Sequence, residues 1–194
     1  FCLVILLNGD IEIYDVSNPA GGVNRLSTLN AYGDPKGVYA YNNYAYIANG
    51  TSGLEIIDIS DPYNPNRVGG YDQEGYAYDV SVSGDYAYLA NGWHNLEIVN
   101  ISIPSSPEKV SNYNNGGYSY DIYLNDTTAY LSKGIDGIEV IDVSNVTSPK
   151  KEGNFHENLC SNGIIVNASL IYAAEGWDGL TIIGFDQDND TLSD

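Results

Sequence analysis

A chain that repeats itself at a fixed interval folds as an array of like units, and this sequence does so every 42 residues. Gly53-Leu54-Glu55-Ile56-Ile57-Asp58-Ile59-Ser60 returns as Asn95-Leu96-Glu97-Ile98-Val99-Asn100-Ile101-Ser102 and again as Gly137-Ile138-Glu139-Val140-Ile141-Asp142-Val143-Ser144. An earlier copy, Asp10-Ile11-Glu12-Ile13-Tyr14-Asp15-Val16-Ser17, lies one residue further away, and a fading copy, Gly179-Leu180-Thr181-Ile182-Ile183-Gly184-Phe185, ends the series. A second run keeps step with the first. It reads Tyr44-Ala45-Tyr46-Ile47-Ala48-Asn49-Gly50, Tyr86-Ala87-Tyr88-Leu89-Ala90-Asn91-Gly92, Ala129-Tyr130-Leu131-Ser132-Lys133-Gly134 and Ile171-Tyr172-Ala173-Ala174-Glu175-Gly176, each copy ending at a glycine turn.

Each full unit reads as four strands, and no segment keeps a helical period over ten residues. The order is the Tyr-Ala-Tyr run, the Leu-Glu-Ile run, a polar run such as Arg67-Val68-Gly69-Gly70-Tyr71, and an alternating run such as Ala77-Tyr78-Asp79-Val80-Ser81-Val82. The Leu-Glu-Ile run is apolar on both faces, which suits a strand sandwiched between neighbouring sheets. The alternating run reads as the strand nearer an exposed edge. Four-stranded sheets at this spacing predict an all-β chain, a β-propeller with about four and a half blades. A β-solenoid is the competing architecture. An incomplete blade leaves a sheet edge open to strand addition from a neighbouring chain or from further sequence.

Leu54-Glu55-Ile56-Ile57-Asp58-Ile59-Ser60-Asp61-Pro62, followed by Pro65, Val68-Gly69 and Tyr71, resembles the LVIVD repeat, a propeller-type repeat of bacterial and archaeal cell-surface proteins. The resemblance covers nearly the whole chain and implies display outside the cell rather than one particular reaction. Asn100 stands where the recurring Asp is expected, and Thr181 where the recurring Glu is expected.

Charge narrows the partners. Seven Lys and Arg against 26 Asp and Glu give a formal net charge of -19, which repels nucleic-acid phosphates and anionic lipid. No apolar stretch reaches the roughly 18 residues that span a bilayer, so no membrane insertion is expected of this segment. Other surface proteins, glycans and further copies of the chain remain as partners. Cys2 and Cys160 form one candidate disulfide in an oxidising compartment, or stand as two buried thiols.

The candidate sites are of three kinds. Residues 1–185 read as propeller repeats and residues 186–194 as the start of an Asp-rich calcium-type linker. There Asp186, Asp188, Asp190 and Asp194, with the Leu192 carbonyl, place oxygens at the alternate positions that a hard cation such as calcium takes. The alternative is a solvated acidic tail. Asn49, Asn100, Asn125, Asn145, Asn167 and Asn189 each begin an Asn-X-Ser/Thr sequon for glycosylation. Trp93 and Trp177 occupy matching loops two repeats apart, either as an aromatic platform for a sugar ring or as blade packing.

Catalytic residues are not expected. His94 and His156 lack a partnered carboxylate at motif spacing, and neither Cys has a basic neighbour. The recurring Glu12, Glu55, Glu97 and Glu139 fall one to a blade, so a polysaccharide hydrolase or lyase is the lesser alternative to a non-enzymatic display, adhesion or self-assembling surface module.

Overall fold

The computed structural model of the chain describes residues 2–5, 9–72, 74–155, 160–167, 170–176 and 179–184. They form five antiparallel sheets, each a simple meander of sequential strands. The first contains β1 (Cys2–Ile5), β2 (Asp10–Asp15) and β3 (Asn24–Asn30). The second contains β4 (Gly37–Tyr41), β5 (Tyr44–Ala48), β6 (Leu54–Asp58) and β7 (Asn66–Tyr71). The third contains β8 (Asp79–Ser83), β9 (Tyr86–Ala90), β10 (Leu96–Asn100) and β11 (Glu108–Tyr113). The fourth contains β12 (Asp121–Asn125), β13 (Thr128–Ser132), β14 (Ile138–Asp142) and β15 (Lys150–Phe155). The fifth contains β16 (Ser161–Asn167), β17 (Leu170–Glu175) and β18 (Gly179–Gly184).

Successive sheets stack face to face as the blades of a propeller, with β4, β8, β12 and β16 packed in turn around the axis. This revises the phase read from sequence. The alternating run is the innermost strand of the following blade, and the polar run is the outer edge. Along β8, Val80, Ser81 and Val82 are all buried, as an inner strand covered by its neighbours requires. In the first sheet, β1 pairs with β2 in the register that β5 keeps with β6, Val4 opposite Glu12 as Ile47 is opposite Glu55.

The core lies between blades rather than within one. On β6, Ile57 joins Ile59 just beyond it in packing with Ile11 and Ile13 of the first sheet, while Leu54 and Ile56 pack with Val80, Leu89 and Val99 of the third. This is why the Leu-Glu-Ile run is apolar on both faces. Covering each such Ile or Leu contributes roughly 1.5–3 kcal/mol, and no blade covers its own. An irregular register step recurs at Ile13/Tyr14, Ile56/Ile57, Ile98/Val99 and Val140/Ile141, where the third strand meets the fourth. Such bulges bend the outer strand and re-aim its side chains.

Three polar devices repeat with the packing. The Asp that ends each third strand caps the turn after it: Asp15, Asp58 and Asp142 each accept from the amide of the Ser two residues on, at 2.8–2.9 Å. Asn100 accepts from Ser102 N in the same way at 2.9 Å, so the Asp-to-Asn departure preserves the one oxygen the turn uses. The loop after each turn clasps the preceding blade. Ser27 Oγ donates to Pro62 O at 2.7 Å and Ser111 Oγ to Val146 O at 2.5 Å, while at the equivalent Gly69 an added Cβ would overlap Pro104 O. Finally, backbone bridges Gly50–Ala77, Gly92–Ser119 and Gly134–Ser161 join successive blades near the axis.

No helix among the described residues is long and apolar enough to cross a membrane. Cys2 is exposed and Cys160 half-buried, and both are free thiols rather than the disulfide offered as one reading of the sequence.

The clasp makes a prediction about Gly69. A methyl there pushes the Pro104 loop off the second blade, and overpacking of this kind costs about 1–3 kcal/mol. Gly69→Ser carries the same Cβ but regains the hydroxyl-to-carbonyl bond of Ser27 and Ser111, so denaturant unfolding is expected to rank wild type above Gly69→Ser above Gly69→Ala. An Ala variant as stable as wild type would refute the clasp.

Candidate functional site

The recurring glutamates are the first place to look for chemistry, and the structure uses them internally. Glu12, Glu55, Glu97 and Glu139 are buried in the middle of the third strands. Each meets a cation from the fourth strand of its own blade: Arg25 at 2.6 Å, Arg67 at 3.3 Å, Lys109 at 2.8 Å and Lys151 at 3.3 Å. These bases are themselves spaced by 42 residues, a recurrence legible in a chain with only seven Lys and Arg but not recognised without the fold. A donor from the second-strand turn adds a further bond, from Asn49 Nδ2 to Glu55 at 2.9 Å and from Asn91 Nδ2 to Glu97 at 2.7 Å. In the fourth blade Lys133 takes that place, 3.0 Å from Glu139.

The previous blade contributes the last partner. Tyr71 OH donates to Glu97 at 2.9 Å and Tyr113 OH to Glu139 at 3.1 Å. Burial, then the charge of Glu139, pushes the Tyr113 phenol up to about 12, so it stays a donor across the physiological range. At the next repeat the tyrosine position is Phe155 and the glutamate position is Thr181, so donor and acceptor are replaced together. These carboxylates are neutralised inside their own blades, and Glu97 and Glu139 are tied to the preceding blade as well. A cleft of about 230 Å³ beside Glu139 is lined by the same groups. Lys133 Nζ there already donates to Asn115 Oδ1, Gly116 O and Glu139.

The second concentration of polar groups lies at the axis, where equivalent residues of successive blades converge. Asp79 begins β8 and Asp121 begins β12, and their carboxyls hydrogen-bond each other. Ile122 N donates to Asp79 Oδ2 at 3.2 Å and Ile164 N donates to Asp121 Oδ2 at 2.6 Å, so the pair ties three inner strands together. Burial, followed by the hydrogen bond and like charge of Asp121, holds the Asp79 carboxyl well above the ordinary range. The flanking blades place glycine at this position: a Cβ at Gly37 would overlap Asp79 Oδ1, and one at Gly163 would lie 3.6 Å from Asp121 Oδ2.

Tyr76, Tyr78, Tyr118 and Tyr120, two from each of two blades, pack together as an aromatic group. Tyr78 lies 5.5 Å from Tyr118 and 5.4 Å from Tyr120, centroid to centroid, and Tyr118 OH donates to Tyr78 OH at 3.0 Å. Burial, then that bond, raises the Tyr118 phenol. Trp93, 70% exposed, meets Tyr118 edge-on at 4.8 Å. Tyr76 OH donates to Asp34, which also pairs with Lys36 at 2.8 Å. The rings approach because Gly50, Gly92 and Gly134 hold φ of 56°, 52° and 57° with no side chain; a Cβ on Gly92 would come within 3.2 Å of Tyr118.

The residues singled out in the sequence fall differently. Trp93 belongs to this aromatic group, whereas Trp177 lies outside the described residues. Asp186, Asp188, Asp190, Leu192, Asp194 and Asn189 also lie outside them, and among the described residues no three acidic, His or Cys side chains gather as a metal site. Of the sequons, Asn125, Asn145 and Asn167 are exposed and Asn100 is half-buried. Asn49 is 1% exposed and gives its Nδ2 to Glu55, so in the folded chain it is an internal ligand of the carboxylate.

Two expectations follow. Lys109→Met leaves the buried Glu97 with Asn91 and Tyr71 but without its cation, and with the lysine itself half-exposed the cost is about 1–2 kcal/mol, read as a lower midpoint in urea. The acid pair gives the opposite pH dependence to a salt bridge. Because folding raises the Asp79 pKa, its contribution is full below the unfolded carboxyl's pKa and is lost as pH rises through the folded one. Asp79→Asn mimics the protonated acid, so its stability relative to wild type should grow from acid to neutral pH. A pH-independent difference would dismiss the shared proton.

The LVIVD repeat model matches residues 32–73, 74–115 and 116–156, one match for each four-stranded sheet. Among solved structures the chain is similar to the computationally designed Ika4 protein, with a TM-score of 0.62, 6% identity, and coverage of 81% of this chain and 94% of that one. It is also similar to the computationally designed Ika8 protein, with a TM-score of 0.68, 6% identity, and coverage of 94% of this chain and 55% of that one. At such identity the likeness is one of fold. No curated protein sequence matches the chain. With consecutive matches over more than half of its length, each coinciding with one blade, the chain belongs to the LVIVD-repeat family.

Proposed function

We propose that the chain is a non-enzymatic binding module, displayed at a cell surface or secreted, that holds a glycan or another surface protein at the axis. The observation that carries this reading is the aromatic group of Trp93, Tyr78, Tyr118 and Tyr120, with an indole left 70% exposed beside ordered phenols. Large rigid rings bring contact area at little conformational cost, which is why they anchor interfaces.

The disposition of the carboxyls supports binding over hydrolysis. Each recurring Glu is neutralised within its blade, and Asp79 and Asp121 touch. Glycosidases instead hold two carboxyls roughly 5–10 Å apart. Exposed sequons at Asn125, Asn145 and Asn167 fit a chain that passes through a secretory route.

The test is retention of the purified chain on arrays of glycans and on surface-protein extracts, comparing wild type with Trp93→Ala. Loss of an interfacial aromatic anchor should weaken retention about 30-fold, with the unfolding midpoint unchanged. Retention indifferent to Trp93, or turnover of a polysaccharide by the wild-type chain, would overturn the reading.

A further inference from the structure

Each blade turns one face toward its successor. On the second blade that face carries the cross-strand pairs Tyr46 with Ile56 and Ala48 with Leu54, all four buried against the third blade. The third blade repeats them as Tyr88 with Ile98 and Ala90 with Leu96, buried against the fourth. On the fifth blade the same register sets Tyr172 opposite Ile182 and Ala174 opposite Leu180, with Ile165 beside Tyr172 on β16. Here the face is open. Leu180 is 63% exposed and Ile182 and Ile165 are each 55% exposed, where Leu54 and Ile56 are fully covered. An uncovered apolar sheet face of this kind marks an interaction surface.

The internal joints show what covers such a face. Against Leu54 and Ile56 the third blade sets Ala87, Leu89, Val99 and Ile101, beside its inner strand. In register these positions fall on Cys2, Val4, Tyr14 and Val16 of the first blade. That face is open as well: Val4 and Val16 are 36% and 37% exposed, and Cys2 is exposed. The first sheet offers it on β1 and β2, two strands where an internal joint uses three, since β1 matches the second strand of the other blades. The two open faces do not cover each other, because the packed sheets succeed one another from β1 and β4 to β8, β12 and β16.

The polar groups of the first blade permit cover there. Glu97 and Glu139 draw a tyrosine from the blade before, whereas Glu12 takes the Tyr14 hydroxyl from its own strand along with Arg25. Docking on the first blade therefore has only apolar surface to complete. Net charge works against it: two copies at -19 each repel, and salt relieves that repulsion without weakening apolar contact.

We propose that the fifth blade of one chain docks on the first blade of a second copy, with Leu180 and Ile182 packed against Val4, Tyr14 and Val16. The second copy is the occupant that continuity selects, since this contact is one more instance of the joint that the chain already builds four times within itself. It pairs unlike faces, so copies add head to tail and each addition leaves a fresh face open. None of the axial aromatic residues takes part, and the inference stands apart from the binding role proposed above.

Sedimentation equilibrium of the full chain tests this, from about 1 to about 200 μM and at about 50 and about 500 mM sodium chloride. Wild type is expected to exceed the monomer mass of 21.0 kDa as concentration rises, and to associate at least about five-fold more tightly at the higher salt. Two variants, each with its fold verified by circular dichroism, blunt one face apiece: Leu180→Thr with Ile182→Thr on the fifth blade, and Val4→Thr with Val16→Thr on the first. Either alone should weaken association at least about ten-fold. Mixed in equal amounts they should recover dimers and nothing larger, because each supplies the face the other lacks. A monomeric wild type, association indifferent to one of the two variants, or a mixture that fails to dimerise would overturn the proposal.

Discussion

The structure depends on one constraint: the third strand of each repeat is apolar on both faces and has no cover within its own sheet. A blade alone would expose half of its best hydrophobic surface, so stability arises between blades, where Leu54 and Ile56 look one way and Ile57 and Ile59 the other. The other repeating features, the turn caps, the loop clasps and the glycine bridges, set the spacing and angle at which that shared core closes.

The buried glutamate is the polar counterpart of this constraint. A carboxylate in the middle of such a strand is costly unless charge and hydrogen bonds reach it, and here they come from three directions: the blade's own fourth strand, its second-strand turn, and the tyrosine of the blade before. The repeated acids consequently carry structure, while the acids that differ between blades, Asp79 and Asp121 against Gly37 and Gly163, gather at the axis. Variation within an otherwise regular array is what marks the candidate site.

The interval between repeats was legible from the first lines of the sequence, since Leu54-Glu55-Ile56-Ile57 and its copies carry the unit on their own. The phase was not, because the alternation of residues 77–82 is the same for an outer edge facing solvent and an inner strand facing the axis. Trp93 was recognisable as an exposed loop aromatic, but its partners Tyr76, Tyr78, Tyr118 and Tyr120 were hidden among 18 tyrosines. Periodicity shows which residues are equivalent; it does not show which equivalent positions converge. Asn49 carried a sequon and turned out to be an internal ligand, because a local motif is blind to a carboxylate six residues on.

The inter-blade tyrosine has a consequence for how such a chain can change over time. Tyr113 belongs to one sequence repeat and its acceptor Glu139 to the next, so the unit copied by duplication and the unit held together by hydrogen bonds are out of register. A blade inserted or deleted as a block keeps both inter-blade links only when it arrives with a hydroxyl at its trailing edge and a carboxylate at its leading face. At Phe155 and Thr181 both halves of the link are replaced, whereas Leu29 stands where Glu55 would find its tyrosine and Asn49 and Arg67 serve that carboxylate from within its own blade. The grammar of the array is therefore written across its joints, and a propeller of this kind is shuffled most safely by cutting through blades rather than between them.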